Sequence, residues 1–139
     1  MFLCSYSKII FFLICLISII SVRSQELEKE PVRLFTDCDC EKNYIRQEIG
    51  YVNHVRDQSQ ANVQLFIYDI ANGSGGRTYS LDFKGIGVFE SIFVKLAYET
   101  TATMTSDEVR KGLVEKIKSG LLKYILESNM AEKITYSIN

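Results

Sequence analysis

The chain has 139 residues, of which 47% are hydrophobic and 24% charged, with 16 Lys and Arg against 17 Asp and Glu. This length suits one ordinary domain, and the eight Tyr, eight Phe and single Pro exclude a disordered or collagen-like chain. The formal net charge of −1 excludes the broad basic field on which non-specific nucleic-acid binding depends. We therefore expect no nucleic-acid partner.

An apolar run near the N-terminus predicts an export signal. It extends from Ile9 to Val22 behind Lys8 and is shorter than the roughly 20 residues that a helix needs to cross a bilayer. Cleavage is expected before Gln25, which makes residues 1–24 a signal peptide. The alternative is an uncleaved membrane anchor, because Arg23 follows the run directly.

Removal of this segment changes the charge and the cysteine content. Two basic residues would leave with it, so 14 basic and 17 acidic residues remain, a formal charge of −3. Two of the four cysteines would leave as well, and Cys38 and Cys40 remain in an oxidising compartment. We expect an exported protein, periplasmic or outer-membrane-associated, whose only membrane contact is through the signal segment or a partner.

The rest of the chain divides into a charged linker at residues 25–31 and a single domain at residues 32–139. Alternation over Val32–Thr36 predicts a short strand, and Glu41–Ile49 is predicted to be a helix. Residues 51–55 fit either a strand or the end of that helix. Two residues could cap the helix: Asp37 and Asp39.

A β-hairpin is predicted where two alternating segments, Val63–Ala71 and Thr78–Phe83, flank the glycine-rich residues 73–76. A third alternating run, Ile92–Glu99, extends the hairpin into an antiparallel meander. Residues 73–76 are not a phosphate-binding loop, because they join two strands and are followed by Arg77.

A long amphipathic helix is predicted from Asp107 to about Glu127. Thr105–Glu108 fits a capping box, and apolar residues recur every four positions: Val109, Leu113, Ile117, Leu121 and Ile125. We expect a two-layer α+β domain in which this helix and the shorter N-terminal helix cover the meander, with a last strand at Ile134–Ile138.

Gly112, Lys116 and Gly120 stack at every fourth position of the long helix, and two of them are glycines. Glycine in a helix costs about 1 kcal/mol relative to alanine, so close packing at these positions would explain them. An exposed, slightly frayed helix face is the other interpretation.

Cys38-Asp39-Cys40 is the one group of residues in the sequence that indicates covalent chemistry. A helix N-terminus favours a thiolate, whereas Asp37 and Asp39 oppose it, so three interpretations stay open: an inert pair, a disulfide without catalysis and a redox pair. Two thiolates need further ligands to hold a metal, and His54 has no companion. We expect no metal, no cofactor and no catalytic residues.

Three blocks follow one another in a fixed order: Tyr-Ile-Arg at 44–46, Val-Asn-His-Val-Arg-Asp at 52–57 and Gly-Ser-Gly-Gly at 73–76. Together they resemble the N-terminal region of a family of uncharacterised exported proteins of Gram-negative bacteria, over about residues 34–138. The resemblance implies an envelope location and a β-rich C-terminal part that lies in or on the outer membrane. Since this chain ends at Asn139, we expect a truncated portion or a stand-alone domain.

Two functional hypotheses follow. The first is a non-catalytic envelope protein that serves as a protein-interaction or assembly module, with an envelope protein or its own missing β-rich C-terminal domain as partner. An exposed sheet edge, at the outer strand of the meander or at Ile134–Ile138, would bind by strand addition. The alternative is a periplasmic thiol-disulfide protein that uses Cys38 and Cys40.

Overall fold

The computed structural model describes residues 30–128 and shows a mixed α+β fold with five strands and two helices in that range. The predicted signal peptide, most of the linker and the Ile134–Ile138 strand lie outside the described residues. In chain order the elements are β1 (Arg33–Asp37), α1 (Lys42–Glu48), β2 (Asn53–Val55), β3 (Val63–Ala71), β4 (Arg77–Gly85), β5 (Phe93–Glu99) and α2 (Ser106–Glu127).

The five strands form one mixed sheet in the order β2-β1-β3-β4-β5. The predicted antiparallel pairing is confirmed for β3, β4 and β5, but β1 pairs in parallel with both β2 and β3. An antiparallel meander is therefore a wrong description of the whole sheet. The reason is the two connections: α1 returns the chain to the starting end of β1 before β2, and residues 56–62 return it again before β3, so both strands run parallel to β1.

The short helix α1 begins at Lys42, which is further along the chain than capping by Asp37 or Asp39 would allow. Its N-cap is Glu41, which makes no side-chain capping hydrogen bond. The prediction that Asp37 or Asp39 caps this helix is wrong, because a capping side chain must reach the N–H groups of the first turn and both aspartates precede the N-cap residue. Ile45 and Ile49 are buried and fix α1 against the core.

The capping box of α2 is confirmed. The Thr105 hydroxyl accepts a hydrogen bond from the Glu108 N–H (3.2 Å), and the Glu108 carboxylate accepts one from the Thr105 N–H (2.8 Å). This exchange satisfies two N–H groups that the first turn would leave unpaired. The buried stripe of the helix consists of Leu113, Val114, Ile117, Gly120, Leu121, Tyr124 and Ile125.

Close packing explains both glycines of α2. A Cβ atom at Gly120 would overlap the ring of Phe83 on β4, and one at Gly112 would overlap the ring of Tyr98 on β5. The close-packing interpretation is therefore confirmed and the frayed-face interpretation is wrong. The missing side chains allow the helix backbone to approach the sheet.

The two faces of the sheet differ in burial. Leu65, Leu81 and Phe83 belong to the hydrophobic core that also contains the buried residues of both helices. Because side chains alternate along a strand, their neighbours point to the opposite side, which we call the open face. Three large apolar side chains on it are exposed: Tyr68 (49%), Ile70 (67%) and Phe93 (60%).

Candidate functional site

The cysteine pair lies in the loop between β1 and α1. The structure joins Cys38 and Cys40 in a disulfide, with the two Cα atoms 5.3 Å apart. Both side chains are half-buried and pack against the core, whereas Asp37 and Asp39 are exposed. The two predicted site residues thus lie together at the surface end of the β1–α1 connection.

Arg110 of α2 holds the end of this loop in place. Its guanidinium lies 4.6 Å from the centre of the Tyr44 ring and 3.4 Å from the Glu41 carboxylate, and it also pairs with Asp107 (2.7 Å). The hydrogen bonds from Lys111 and Arg110 lower the pKa of Asp107. These contacts connect the start of α1 to the first turns of α2.

A small cavity of about 10 Å³ lies beneath α1, which is room for about one water molecule. The buried Thr36 hydroxyl in its wall has no hydrogen-bond partner within residues 30–128. His54 also lines the cavity and donates a hydrogen bond from Nε2 to the carbonyl oxygen of Ile49 (2.9 Å). Two cationic side chains, Lys42 and Arg46, complete its polar wall. This volume suits a bound water and excludes a substrate.

The outer edge of β5 is defined by its hydrogen bonds to β4. Gly85 donates its N–H to the carbonyl of Ile92 (3.0 Å), and Thr100 donates to that of Arg77 (2.8 Å). Because the direction of main-chain groups alternates along an antiparallel strand, every second residue of β5 turns its N–H and C=O away from β4. These outward residues are Phe93, Lys95, Ala97 and Glu99.

The open face beside this edge contains a polar cluster among its apolar residues. The Tyr68 hydroxyl donates a hydrogen bond to the Asp82 carboxylate (3.0 Å), and the Lys95 ammonium lies 3.5 Å from the same oxygen. The attraction of Asp82 raises the pKa of Lys95. Lys95 is therefore held as a cation on the open face, on the edge strand itself.

A buried threonine fastens the end of β5. The Thr100 hydroxyl accepts a hydrogen bond from the Arg77 N–H (2.8 Å) and donates one to the Arg77 carbonyl (3.0 Å). The Asn72 side chain donates to the Thr100 carbonyl (2.9 Å), and Gly76 lies so close to that carbonyl that a Cβ atom would overlap it. The glycine-rich segment is thus the tip of the β3–β4 hairpin, as predicted, and it also anchors the neighbouring strand.

Sequence reasoning placed the cysteine pair but missed the buried Thr36 hydroxyl and the anchoring role of Thr100. A threonine within or just after an alternating strand looks like any half-buried β residue, so no sequence signal distinguishes these two. The outer strand of the meander was predicted as an exposed edge. Within residues 30–128, β5 indeed has β4 as its single neighbour.

Comparisons with family models, with curated proteins and with solved structures found no match for this chain. The resemblance to exported Gram-negative proteins stays a prediction. Among residues 30–128, neither helix has the length and hydropathy of a membrane-spanning segment. The same residues contain no group of three or more His, Cys, Asp or Glu side chains arranged to hold a metal ion.

Proposed function

We propose that this chain is a non-catalytic exported envelope protein that acts as a protein-interaction or assembly module. In this proposal a signal peptide (1–24) and a linker (25–31) precede a two-layer domain, and a partner adds a strand to β5. The partner is an envelope protein or a β-rich C-terminal part of the same protein. The observation that carries the proposal is the edge of β5, where four residues direct their main-chain groups away from β4.

Unpaired N–H and C=O groups along a strand are a template for another chain. β5 offers seven residues, about the length of an ordinary strand, so an added strand gains several main-chain hydrogen bonds. The opposite edge, β2, has only three residues and offers far fewer. Strand addition is therefore favoured at β5.

An exposed apolar residue of the open face supports the same location. Phe93 lies on β5 itself and is 60% exposed, whereas Ile70 and Tyr68 lie two strands further in, on β3 of the same face. A strand paired with β5 would place every second side chain on this face, beside Phe93. Main-chain hydrogen bonds would supply affinity, and side-chain contacts with Phe93 would supply specificity.

The test is site-specific photocross-linking in the exporting cell, with a photoreactive residue replacing Phe93. We expect an adduct with a second polypeptide, which mass spectrometry then identifies. The matched control carries the same residue at Glu115, an exposed position on α2 away from the sheet edge. Equal adducts at both positions, none at position 93, or a cross-link from position 93 to residues 129–139 of the same molecule would overturn the proposal.

A second proposal, thiol-disulfide exchange at Cys38 and Cys40, draws support from one observation. Cys40 lines an open surface groove with residues 41–44, so an attacking thiolate could reach its sulfur. We rank this proposal below the first because Asp37 and Asp39 flank the pair and disfavour a thiolate there. An insulin-reduction assay separates the two proposals.

A further inference from the structure

We infer that the strand added at β5 is β5 of a second copy of this chain, paired antiparallel about Ala97. This inference rests on the proposed function, because it names the partner of the same edge. Two copies related by a two-fold axis can pair identical edge strands only in the antiparallel sense. The inference therefore concerns which residue lies on the axis.

The direction of the main-chain groups limits the possible registers. Outward residues of one copy must face outward residues of the other, since these are the residues of β5 whose N–H and C=O groups have no strand partner among residues 30–128. Phe93, Lys95, Ala97 and Glu99 are the outward residues of β5. The axis can therefore pass through an outward residue or through an inward residue between two of them.

Charge selects one register among these. With the axis at Lys95, two ammonium groups would face each other; with the axis at Leu96, Lys95 would face Ala97. With the axis at Ala97, Lys95 of each copy lies directly opposite Glu99 of the other, which gives two complementary pairs. Directly opposed unlike charges stabilise a strand pair and like charges destabilise it. Both side chains are exposed on the same face, and the Lys95 ammonium already has one carboxylate partner, Asp82 (3.5 Å), within its own copy.

The remaining contacts fit the same register. The two Ala97 side chains lie directly opposite each other on the axis. On the other face, Leu96 of one copy lies opposite Tyr98 of the other, an apolar and aromatic pair of the kind that stabilises sheets. The outward residues 95, 97 and 99 of both copies would form six main-chain hydrogen bonds. The result is a continuous ten-stranded sheet with one open face.

The first test exchanges the charges and measures the dimer dissociation constant by sedimentation equilibrium on the chain as recovered from the exporting cell. Glu99→Lys places an ammonium group of each copy opposite Lys95 of the other, so the two complementary pairs become two repulsive ones. The dimer dissociation constant should therefore rise by at least about tenfold. Lys95→Glu should act in the same direction. The double variant K95E/E99K restores both intermolecular pairs and should dimerise at least about tenfold more tightly than Glu99→Lys, while a carboxylate at position 95 then lies beside Asp82 within each copy. Failure of the double variant to recover dimerisation, or a monomeric wild type, would overturn the inference.

The second test fixes the register by cysteine cross-linking. Directly opposite residues in such a hydrogen-bonded pair have Cα atoms about 5.5 Å apart, within disulfide range. Ala97→Cys should therefore form a covalent dimer on mild oxidation. Lys95→Cys is the matched control, since its two copies would be roughly 13 Å apart along the strands. A covalent dimer from Lys95→Cys, with none from Ala97→Cys, would contradict the axis at Ala97.

The failure of this inference is distinguishable from the failure of the proposed function. If the protein is monomeric but a photoreactive residue at position 93 captures a different polypeptide, strand addition at β5 stands and self-pairing is wrong. If position 93 captures neither a second copy nor another protein, both proposals fall. An adduct whose mass is twice that of the chain, lost in Glu99→Lys and recovered in K95E/E99K, supports both.

Discussion

The hydroxyl group of Thr100 and the main chain of Arg77 form two hydrogen bonds, one in each direction. The Thr100 N–H donates a third hydrogen bond to the same Arg77 carbonyl (2.8 Å). Thr100 is 3% exposed, so its hydroxyl is buried at the point where β5 ends and β4 begins, and the bonds to Arg77 are part-buried. The strand that carries the proposed interaction edge is therefore fastened at its C-terminal end.

Replacing this hydroxyl should destabilise the domain. Thr100→Val keeps the shape of the side chain but leaves the part-buried Arg77 N–H without its acceptor, so we expect the free energy of unfolding to fall by about 0.5–1.5 kcal/mol. Urea denaturation followed by circular dichroism measures it. Thr103→Val, at an exposed position nearby, is the control and should change stability by less than about 0.5 kcal/mol. Equal effects of the two substitutions would contradict the role assigned to Thr100.

The contact between α2 and β4 predicts an unusual result for a glycine-to-alanine change in a helix. Alanine is favoured over glycine there by about 1 kcal/mol, yet Gly120→Ala should destabilise the domain by about 1–3 kcal/mol, because the added Cβ overlaps the fully buried Phe83 ring. Gly112→Ala should cost less, since it meets the far end of the half-buried Tyr98 side chain.

Ser119→Ala provides the matched control for this pair. Ser119 is exposed on the same helix, so alanine should leave the urea midpoint unchanged or raise it slightly. A stabilising effect of Gly120→Ala equal to that of Ser119→Ala would show that α2 does not approach Phe83 as closely as the structure has it.

The elements with their own local signals were predictable. The β3–β4 hairpin shows alternation on both sides of a glycine-rich tip, and α2 shows a capping box followed by apolar residues every four positions. Each pattern is long enough to predict its element from the local sequence alone. The pairing of β1 and β2 was not predictable, because strands of five and three residues carry little information about which neighbour they choose.

The candidate site was predictable only in part. The sequence shows that Cys38 and Cys40 are close, since one residue separates them, and alternation shows that β5 is a strand. The register between β4 and β5 decides which residues of β5 direct their N–H and C=O groups away from β4. Tyr79 and Tyr98 are one of the pairs that define this register. That register is a tertiary property, so the opposition of Lys95 and Glu99 in a second copy could be inferred only from the structure.

Burial of Tyr124 predicts a loss of stability at high pH. Desolvation raises the pKa of Tyr124 from its ordinary value of 10.0 to about 12, and its hydroxyl donates a hydrogen bond to the Ile92 carbonyl (3.0 Å). Because the folded state holds this proton more tightly, the contribution to stability is complete below pH 10 and is lost as the pH rises towards about 12.

Tyr124→Phe isolates this contribution. The variant should lose about 0.5–1.5 kcal/mol at neutral pH, since the Ile92 carbonyl still accepts a hydrogen bond from the Gly85 N–H. Its urea midpoint should then fall less steeply than that of the wild type between pH 10 and 12. Parallel pH profiles for the two proteins would show that Tyr124 does not titrate as its burial requires.

The cysteine pair should be dispensable for binding at β5. In the proposed function the double variant C38S/C40S retains the photocross-linked adduct at position 93, because both cysteines lie in the β1–α1 loop rather than on the β5 edge. The wild-type protein should show no insulin reduction above the rate of the reductant alone. Wild-type activity that disappears in the double variant, together with a retained fold, would favour thiol-disulfide exchange instead.

The most direct measurement blocks the edge of β5 without disturbing its pairing to β4. Ala97→Pro removes an N–H that points away from β4, so the β4–β5 hydrogen bonds remain, and proline is tolerated at such a position of an edge strand. Ala97→Val keeps the N–H and is the matched control. The quantity to compare is the yield of the adduct from position 93, with each variant's urea midpoint recorded beside it. We predict a loss of at least about tenfold for Ala97→Pro and a retained yield for Ala97→Val. An undiminished adduct in a folded Ala97→Pro protein would contradict strand addition at β5.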